Sequence, residues 1–142
     1  MDNQKIVMVV DDAAANLQHY RGLLSGKYDV RLAKSGIMAL DALSRIEPDV
    51  ILLDIEMPNM SGFEVKEEIN HDARLKNIPV IFISSHTSQT LIEAAINYGA
   101  VDYVTKPFLP NELYTKITKA LTGKDQATVE AILMNTDGEK NE

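Results

Sequence analysis

The sequence predicts a doubly wound α/β fold, in which helices cover both faces of a parallel β-sheet. Short continuous apolar runs, typical of strands buried on both faces, alternate five times with segments whose apolar residues recur every three to four positions. Prolines at positions 48, 58, 79 and 107 stand beside the apolar runs and not inside them. Strands and helices that alternate in this way are joined by right-handed βαβ crossovers, which produce a parallel sheet.

The five predicted strands follow from the apolar runs in chain order. The clearest runs cover residues 6–10, 50–53 and 80–83, and weaker runs cover residues 30–33 and 101–104. None approaches the roughly 20 apolar residues that a membrane-spanning helix needs. We expect the flavodoxin-like strand order 2-1-3-4-5, although periodicity alone does not order the strands.

Five predicted helices alternate with these strands, and each has one apolar stripe. The stripes consist of Leu17, Tyr20 and Leu24; Ala39, Leu40 and Leu43; Val65 and Ile69; Leu91, Ile92 and Ala95; and Leu113, Ile117 and Leu121. The chain has 142 residues, close to the modal size of a single domain. We therefore expect one domain over residues 1–122.

The last stretch, residues 123–142, is expected to be an acidic tail or linker, because five acidic residues there face two basic ones. A short helix over residues 126–135 is the alternative, since Val129, Ile132 and Leu133 share a helical face. Residues 136–142 are polar enough to be disordered.

Composition excludes several classes of function. The chain has no cysteine, which rules out disulfides, thiolate metal sites and a cysteine nucleophile, and fits a reducing cytoplasm. Its N-terminus does not resemble a signal peptide. The net charge of −7 argues against direct binding of nucleic acid by this segment, because a phosphate backbone requires clustered lysine and arginine.

Unusual polar residues follow four of the predicted strands. Asp11 and Asp12 end the first strand, Asp54 the third, Ser84 the fourth, and Lys106 follows the fifth. In an open parallel sheet, ligands bind outside the carboxyl ends of the strands, where the strand order reverses. Each residue alone has an ordinary explanation as a helix cap, a turn former, a solvated charge or a core hydroxyl. Their joint placement at one edge favours a functional site.

The three aspartates point to a divalent cation. Strands one and three are neighbours in the expected order, about 5 Å apart, so three carboxylates would lie close together and repel one another. A ligand set made only of oxygen atoms favours magnesium over zinc, with manganese as the alternative ion. Lys106 would add a positive charge able to neutralise a phosphoryl oxygen, and Ser84 would add a hydroxyl donor.

Four motifs resemble the receiver domains of bacterial two-component response regulators over about residues 5–122. They read I-V-M-V-V-D-D, I-L-L-D-I-E-M-P-N-M-S-G-F-E, P-V-I-F-I-S-S and G-A-V-D-Y-V-T-K-P-F. The resemblance implies that Asp54 is the phosphorylated aspartate and that Asp12 and Asp54 bind magnesium directly. It also implies that Asp11 acts largely through water and that the main-chain carbonyl of Glu56 is a further ligand.

The resemblance further implies how the signal passes to the surface. Lys106 is expected to contact the phosphoryl group and to precede a cis peptide bond to Pro107. Ser84 is expected to hydrogen-bond to the phosphoryl group, and Tyr103 to rotate inward as the switch aromatic. Tyr103 as a half-buried strand aromatic without a signalling role is the alternative. The output surface is expected around residues 91–98, Tyr103 and residues 116–119.

The implied function is a cytoplasmic, magnesium-dependent phosphorelay switch in signal transduction. It would accept a phosphoryl group from a sensor histidine kinase or a histidine phosphotransfer protein and control an unknown output domain or protein. A phosphorylation-dependent homodimer is one form that this output could take. By this resemblance the chain is not an enzyme with a separate substrate, but assists its own phosphorylation and dephosphorylation. Glu56 and His86 are predicted to influence how long the phosphoryl group persists, and the alternative is that both are solvated loop side chains without such an effect.

Three other interpretations are weaker. Haloacid-dehalogenase-like phosphatases also use a strand-end aspartate and magnesium, but they typically have a second aspartate two residues later, where this chain has Glu56. A receiver that never takes phosphate is disfavoured, because the full set of acids is present. Flavin or dinucleotide binding is disfavoured, because the chain has no G-x-G-x-x-G motif.

Overall fold

The computed structural model describes the backbone of residues 4–137 and the side chains of residues 4–123. Five parallel strands within these residues form one sheet, with the predicted order β2-β1-β3-β4-β5. The strands are β1 Ile6–Val10, β2 Asp29–Ala33, β3 Val50–Asp54, β4 Val80–Ser84 and β5 Asp102–Thr105. The helices are α1 Ala14–Leu24, α2 Gly36–Leu43, α3 Gly62–Asn70, α4 Gln89–Asn97 and α5 Pro110–Asp137. The predicted alternation of five strands and five helices is therefore confirmed.

The core consists of two hydrophobic clusters, one on each face of the sheet. Helices α1 and α5 pack on one face, where Leu17 and Ile117 belong to the same cluster as the strand residue Leu52. Helices α2, α3 and α4 pack on the other face, where Val65 belongs to the same cluster as the strand residue Leu53. Successive strand residues point to opposite faces, so both faces of a central strand need apolar residues. Accordingly, every residue of β3 and β4 is buried.

The loop from β3 to α3 is fixed by local interactions. Ser61 and Glu64 form a capping box, in which each side chain accepts a hydrogen bond from the other residue's main-chain N–H. Gly62 begins α3 directly against the strand end, and a Cβ atom there would clash with the main-chain oxygen of Asp54. The Gly62 N–H also donates a 2.9 Å hydrogen bond to the Ile55 carbonyl. The end of β3 is thus held close to the first turn of α3.

The C-terminal helix extends beyond the expected domain boundary at residue 122. Helix α5 continues to Asp137, so the backbone of residues 123–137 is helical. The alternative helix over residues 126–135 lies inside this longer helix and is continuous with the amphipathic part that packs on the sheet. Continuation costs little because an existing helix extends without a new nucleation step. The predicted disorder of residues 138–142 lies outside the described residues. Among the described helices, none is both long and apolar enough to cross a membrane.

Candidate functional site

Three carboxylates meet at the carboxyl edge of the sheet. Strands β1 and β3 are adjacent and parallel, with Val10 paired to Leu53, so the residues that end them lie side by side. One carboxylate oxygen from each of Asp11, Asp12 and Asp54 lies within 4.8 Å of the others. Asp11 and Asp54 are buried, whereas Asp12 is exposed. The predicted proximity of the three aspartates is confirmed, and the cluster is open to solvent on the side of Asp12.

Asp11 is positioned by hydrogen bonds from the start of α1. The Ala13 N–H donates to its Oδ1 at 2.9 Å, and the Asn16 side-chain amide lies 3.2 Å from its Oδ2. Asn16 was not among the site residues predicted from the sequence. A signal was available, because Asn16 lies in the first turn of the helix that follows the acid pair. Asn16 therefore acts on the cluster through the orientation of Asp11.

Lys106 supplies the positive charge of the site. Its Nζ lies 3.5 Å from Asp11 Oδ2 and 3.5 Å from Asp54 Oδ1, so it bridges two of the three acids. The Lys106 N–H donates a 2.7 Å hydrogen bond to the Ser84 carbonyl, which places the lysine beyond β5 at the same edge as β4. The peptide bond between Lys106 and Pro107 is cis, as predicted.

Asp54 has a buried carboxylate oxygen without a hydrogen-bond donor among the described residues. This atom is Oδ1, and Lys106 is too distant to donate a strong hydrogen bond to it. Burial raises the pKa of Asp54 to about 7, with Asp11 and Glu56 adding repulsion while Lys106 partly offsets it. Burial, Asp11 and Asp54 likewise raise the pKa of the Tyr20 hydroxyl. The single positive charge of Lys106 therefore does not balance the negative charge of the three aspartates at this edge.

The other side of the site is a hydrogen-bonded chain that starts at β4. The buried Ser84 hydroxyl donates a 2.7 Å hydrogen bond to Glu56 Oε2 and accepts one from the His86 N–H at 2.9 Å. His86 Nδ1 lies 3.3 Å from the same Glu56 oxygen. The Tyr103 hydroxyl donates to the His86 carbonyl at 2.7 Å. Ser84 and Tyr103, both predicted from the sequence, are thus connected through the His86 backbone.

The sequence matches the family model described as "Response regulator receiver domain" over residues 7–118. The chain belongs to this family. The match begins in β1, includes the other four strands completely, and ends in α5 just after Ile117. The acid cluster, Lys106 and Ser84 all lie within it.

Relatives of this receiver domain occur in proteins with different overall functions. A probable cyclic di-GMP phosphodiesterase of Vibrio cholerae is 38% identical over 105 residues, which are 74% of this chain and 24% of that protein. Hybrid signal transduction histidine kinase D of Dictyostelium discoideum is 34% identical over 122 residues, 86% of this chain and 8% of that protein. The chain thus spans a small part of the length of both curated relatives.

One solved receiver domain bears on the metal. The receiver domain of a sensor histidine kinase from Pseudomonas aeruginosa PAO1 was determined with a magnesium ion coordinated in its active site cleft. It is 26% identical to this chain, with a TM-score of 0.78, and the match covers 84% of this chain and 99% of that one.

The acid cluster of this receiver domain fits such an ion. Asp54 Oδ1 lacks a donor among the described residues, and its neighbours Asp11 and Asp12 present oxygen atoms within 4.8 Å. Three carboxylates with one exposed member suit a hard cation that keeps several waters. The Glu56 side chain faces Ser84 and His86, and binding of a metal by its main-chain carbonyl stays a prediction.

Proposed function

We propose that this receiver domain is a phosphorelay switch that takes a phosphoryl group onto Asp54. One observation carries the proposal: a buried carboxylate whose Oδ1 has no hydrogen-bond donor among the described residues faces two further acids and one lysine. A structural carboxylate at a strand end is normally satisfied by nearby N–H groups. An unsatisfied one, with its pKa raised to about 7, is typical of a functional site.

The proposed chemistry is nucleophilic attack by a carboxylate oxygen of Asp54 on a phosphoryl group carried by a histidine of the partner. The new bond joins phosphorus to the aspartate oxygen, and the bond to the histidine nitrogen breaks with its electron pair leaving on the imidazole. Lys106, 3.5 Å from Asp54, would contact the phosphoryl oxygens and balance their charge. Hydrolysis of the acyl phosphate by water would reset the switch.

Magnesium is the proposed cofactor, with manganese as the alternative. Asp12 and Asp54 would bind the ion directly, Asp11 would act through water, and the Glu56 carbonyl would be a further ligand. When bound, the ion would neutralise charge on the acids and on the phosphoryl oxygens. With the ion present, the carboxylate of Asp54 can stay ionised at neutral pH, which nucleophilic attack requires.

The proposed donor is a sensor histidine kinase or a histidine phosphotransfer protein in the cytoplasm, and the output is a further domain or protein. A cavity of about 350 Å³ opens beside Lys106 between Asn16, His19 and Phe108, which leaves room for a donor side chain to approach. Helix α4, Tyr103 and Lys116 would form the output surface, where a groove borders Ile96 and Tyr103. A homodimer formed on phosphorylation is one proposed form of this output.

Phosphorylation of the protein by acetyl phosphate in the presence of magnesium tests the proposal. We expect one phosphoryl group on Asp54 by mass spectrometry, and none at that position in Asp54→Asn. Asp41→Asn, which changes an exposed acid on α2, should be phosphorylated like the parent. A stable phosphoryl group on another residue of the parent, with Asp54 unmodified, would contradict the proposal.

The switch is tested separately with Ser84→Ala. This variant should still be phosphorylated, because Ser84 is not a nucleophile here, yet it should lose much of the conformational response in α4. NMR chemical shifts of residues 91–98, measured with and without beryllofluoride, report that response. An unchanged response in the variant would favour the alternative that Tyr103 is a strand aromatic without a signalling role.

A further inference from the structure

The Ser84 hydroxyl, which the proposed switch requires, is already engaged in this structure. Its single hydrogen is donated to Glu56 Oε2 at 2.7 Å, and its oxygen accepts the His86 N–H at 2.9 Å. A hydroxyl group has only one hydrogen to donate. Ser84 can therefore donate to Glu56 or to a phosphoryl oxygen on Asp54, but not to both at once.

The bond to Glu56 is a strong competitor. Hydrogen bonds from a hydroxyl to a carboxylate are short and about twice as strong as bonds between neutral groups. The Ser84 side chain is fully buried, which limits competition by water at the donor. Glu56 is 39% exposed, so part of its charge is screened and its hold is weaker than that of a buried acid.

We propose that Glu56 is an inhibitory acceptor that holds the Ser84 hydroxyl away from the phosphorylation site and so sets the position of the switch equilibrium. The inference rests on the proposed function, because it describes what a phosphoryl group on Asp54 must displace. It assigns to Glu56 a positioning role that acts through Ser84. This role is separate from the proposed use of its main-chain carbonyl as a metal ligand.

The contacts of Glu56 also connect the phosphorylation site to Tyr103 on the proposed output surface. The His86 ring lies 3.3 Å from Glu56 Oε2, and the His86 carbonyl accepts the 2.7 Å hydrogen bond from the Tyr103 hydroxyl. The residues after β4 are therefore attached to the loop after β3 by Glu56 and to β5 by Tyr103. When Ser84 turns toward a phosphoryl oxygen, the Glu56 bond breaks and the His86 N–H loses its present acceptor geometry. The backbone that holds the Tyr103 hydroxyl then changes with it.

A ligand that binds only the switched conformation binds more tightly when that conformation is more populated. Beryllofluoride with magnesium is a suitable probe, because it mimics the phosphoryl group without hydrolysis. Glu56→Ala removes the competing acceptor, and we expect this variant to bind beryllofluoride about fivefold to tenfold more tightly than the parent. Before beryllofluoride is added, the amide signals of His86 and Tyr103 should already lie closer to their bound positions.

Two controls separate the hydrogen bond of Glu56 from its charge, which also repels the charge of Asp54. Glu56→Gln removes the charge but keeps an acceptor oxygen, so its affinity should lie between those of the parent and Glu56→Ala. In a Ser84→Ala background, Glu56→Ala and Glu56→Gln should have equal and smaller effects, because no hydroxyl remains to be released. Glu68→Ala, which removes an exposed acid on α3, should bind like the parent.

The possible results distinguish failure of the inhibitory role of Glu56 from failure of the proposed function. Equal tightening by Glu56→Ala and Glu56→Gln, unchanged in the Ser84→Ala background, would show a pure charge effect and overturn the inhibitory role of Glu56. No tightening in Glu56→Ala would overturn it as well. In both cases the proposed function would stand, provided the parent binds beryllofluoride and is phosphorylated on Asp54. A parent that does neither would overturn the function and the inference together.

Discussion

Two aspartates flank strand β3 and have opposite surroundings. At the amino end, Asp49 Oδ2 accepts a 2.7 Å hydrogen bond from the Ile6 N–H, while the Asp49 N–H donates to the Ile6 carbonyl at 2.8 Å. At the carboxyl end, Asp54 Oδ1 finds no donor among the described residues and lies in a cluster with two other acids. The carboxylate before β3 thus has a main-chain donor, whereas one oxygen of the carboxylate that ends β3 has none among the described residues.

The difference shows what separates a structural acid from a functional one. Asp49 joins β1 to the start of β3 through two hydrogen bonds, and its carboxylate accepts one of them from the Ile6 N–H. Burial and repulsion raise the pKa of Asp54 to about 7, and Lys106 offsets this only in part. Such an arrangement costs stability and is retained where an incoming ligand supplies the missing positive charge.

Magnesium affinity should show the largest difference between variants at the carboxyl edge of the sheet and a variant of Asp49 at the opposite edge. Asp12→Ala removes a proposed direct ligand, and we expect its magnesium affinity to fall at least about tenfold, roughly 1.4 kcal/mol, with the phosphorylation rate falling in parallel. Asp49→Ala should bind magnesium like the parent, because Asp49 lies at the opposite edge. Isothermal titration calorimetry measures both affinities. If Asp12→Ala binds magnesium as tightly as the parent does, Asp12 is not a ligand of the ion.

Without magnesium, substitution of Asp54 should increase the free energy of unfolding, whereas substitution of Asp49 should decrease it. Because the folded state raises the pKa of Asp54 from 3.8 to about 7, its stabilising contribution is present below about pH 4 and is lost as the pH rises through 7. Asp54→Asn should therefore exceed the parent in free energy of unfolding by about 1–2 kcal/mol above pH 7, and by little near pH 4. Asp49→Ala should instead lose about 1 kcal/mol at pH 7, because it leaves the Ile6 N–H without its acceptor.

Urea unfolding at several pH values measures these differences, and added magnesium should reduce the advantage of Asp54→Asn. If Asp54→Asn increases the free energy of unfolding equally at pH 4 and pH 8, the charge of Asp54 is not the cause of the increase. An increased free energy of unfolding in Asp49→Ala would contradict the distinction between a structural acid before β3 and a functional acid at its end.

The smallest expected effect is on the dephosphorylation rate, and it concerns two residues near Asp54 that are not part of the acid cluster. Glu56 and His86 have side chains that are 39% and 64% exposed, at the rim that a hydrolytic water must cross. Glu56→Ala and His86→Ala should change the dephosphorylation rate severalfold, about 1 kcal/mol in barrier, and leave magnesium binding nearly intact. Decay of the phosphorylated form at saturating magnesium measures the rate. Equal lifetimes in the parent and both variants would mean that neither side chain influences hydrolysis.

Much of the candidate site could be predicted because it follows from strand ends. Asp11, Asp12 and Asp54 come directly after apolar runs, and parallel strands bring their carboxyl ends to one edge whatever the details of packing. The position of Lys106 follows from the same rule. The place of Asn16 in the first turn after the acid pair puts it near this edge, but its contact with Asp11 also depends on how α1 is oriented after the turn.

By itself, the sequence determined the alternation of strands and helices, the apolar faces of the helices and the residues at the carboxyl edge. These features depend on local periodicity and on the geometry common to all parallel sheets. Only the tertiary structure decided that Asp49 is satisfied while Asp54 is not, and that the Ser84 hydroxyl donates to Glu56. The reason is that a donor's choice among acceptors depends on which side chains residues far apart in sequence bring within about 3 Å, and neither periodicity nor motif spacing specifies such distances.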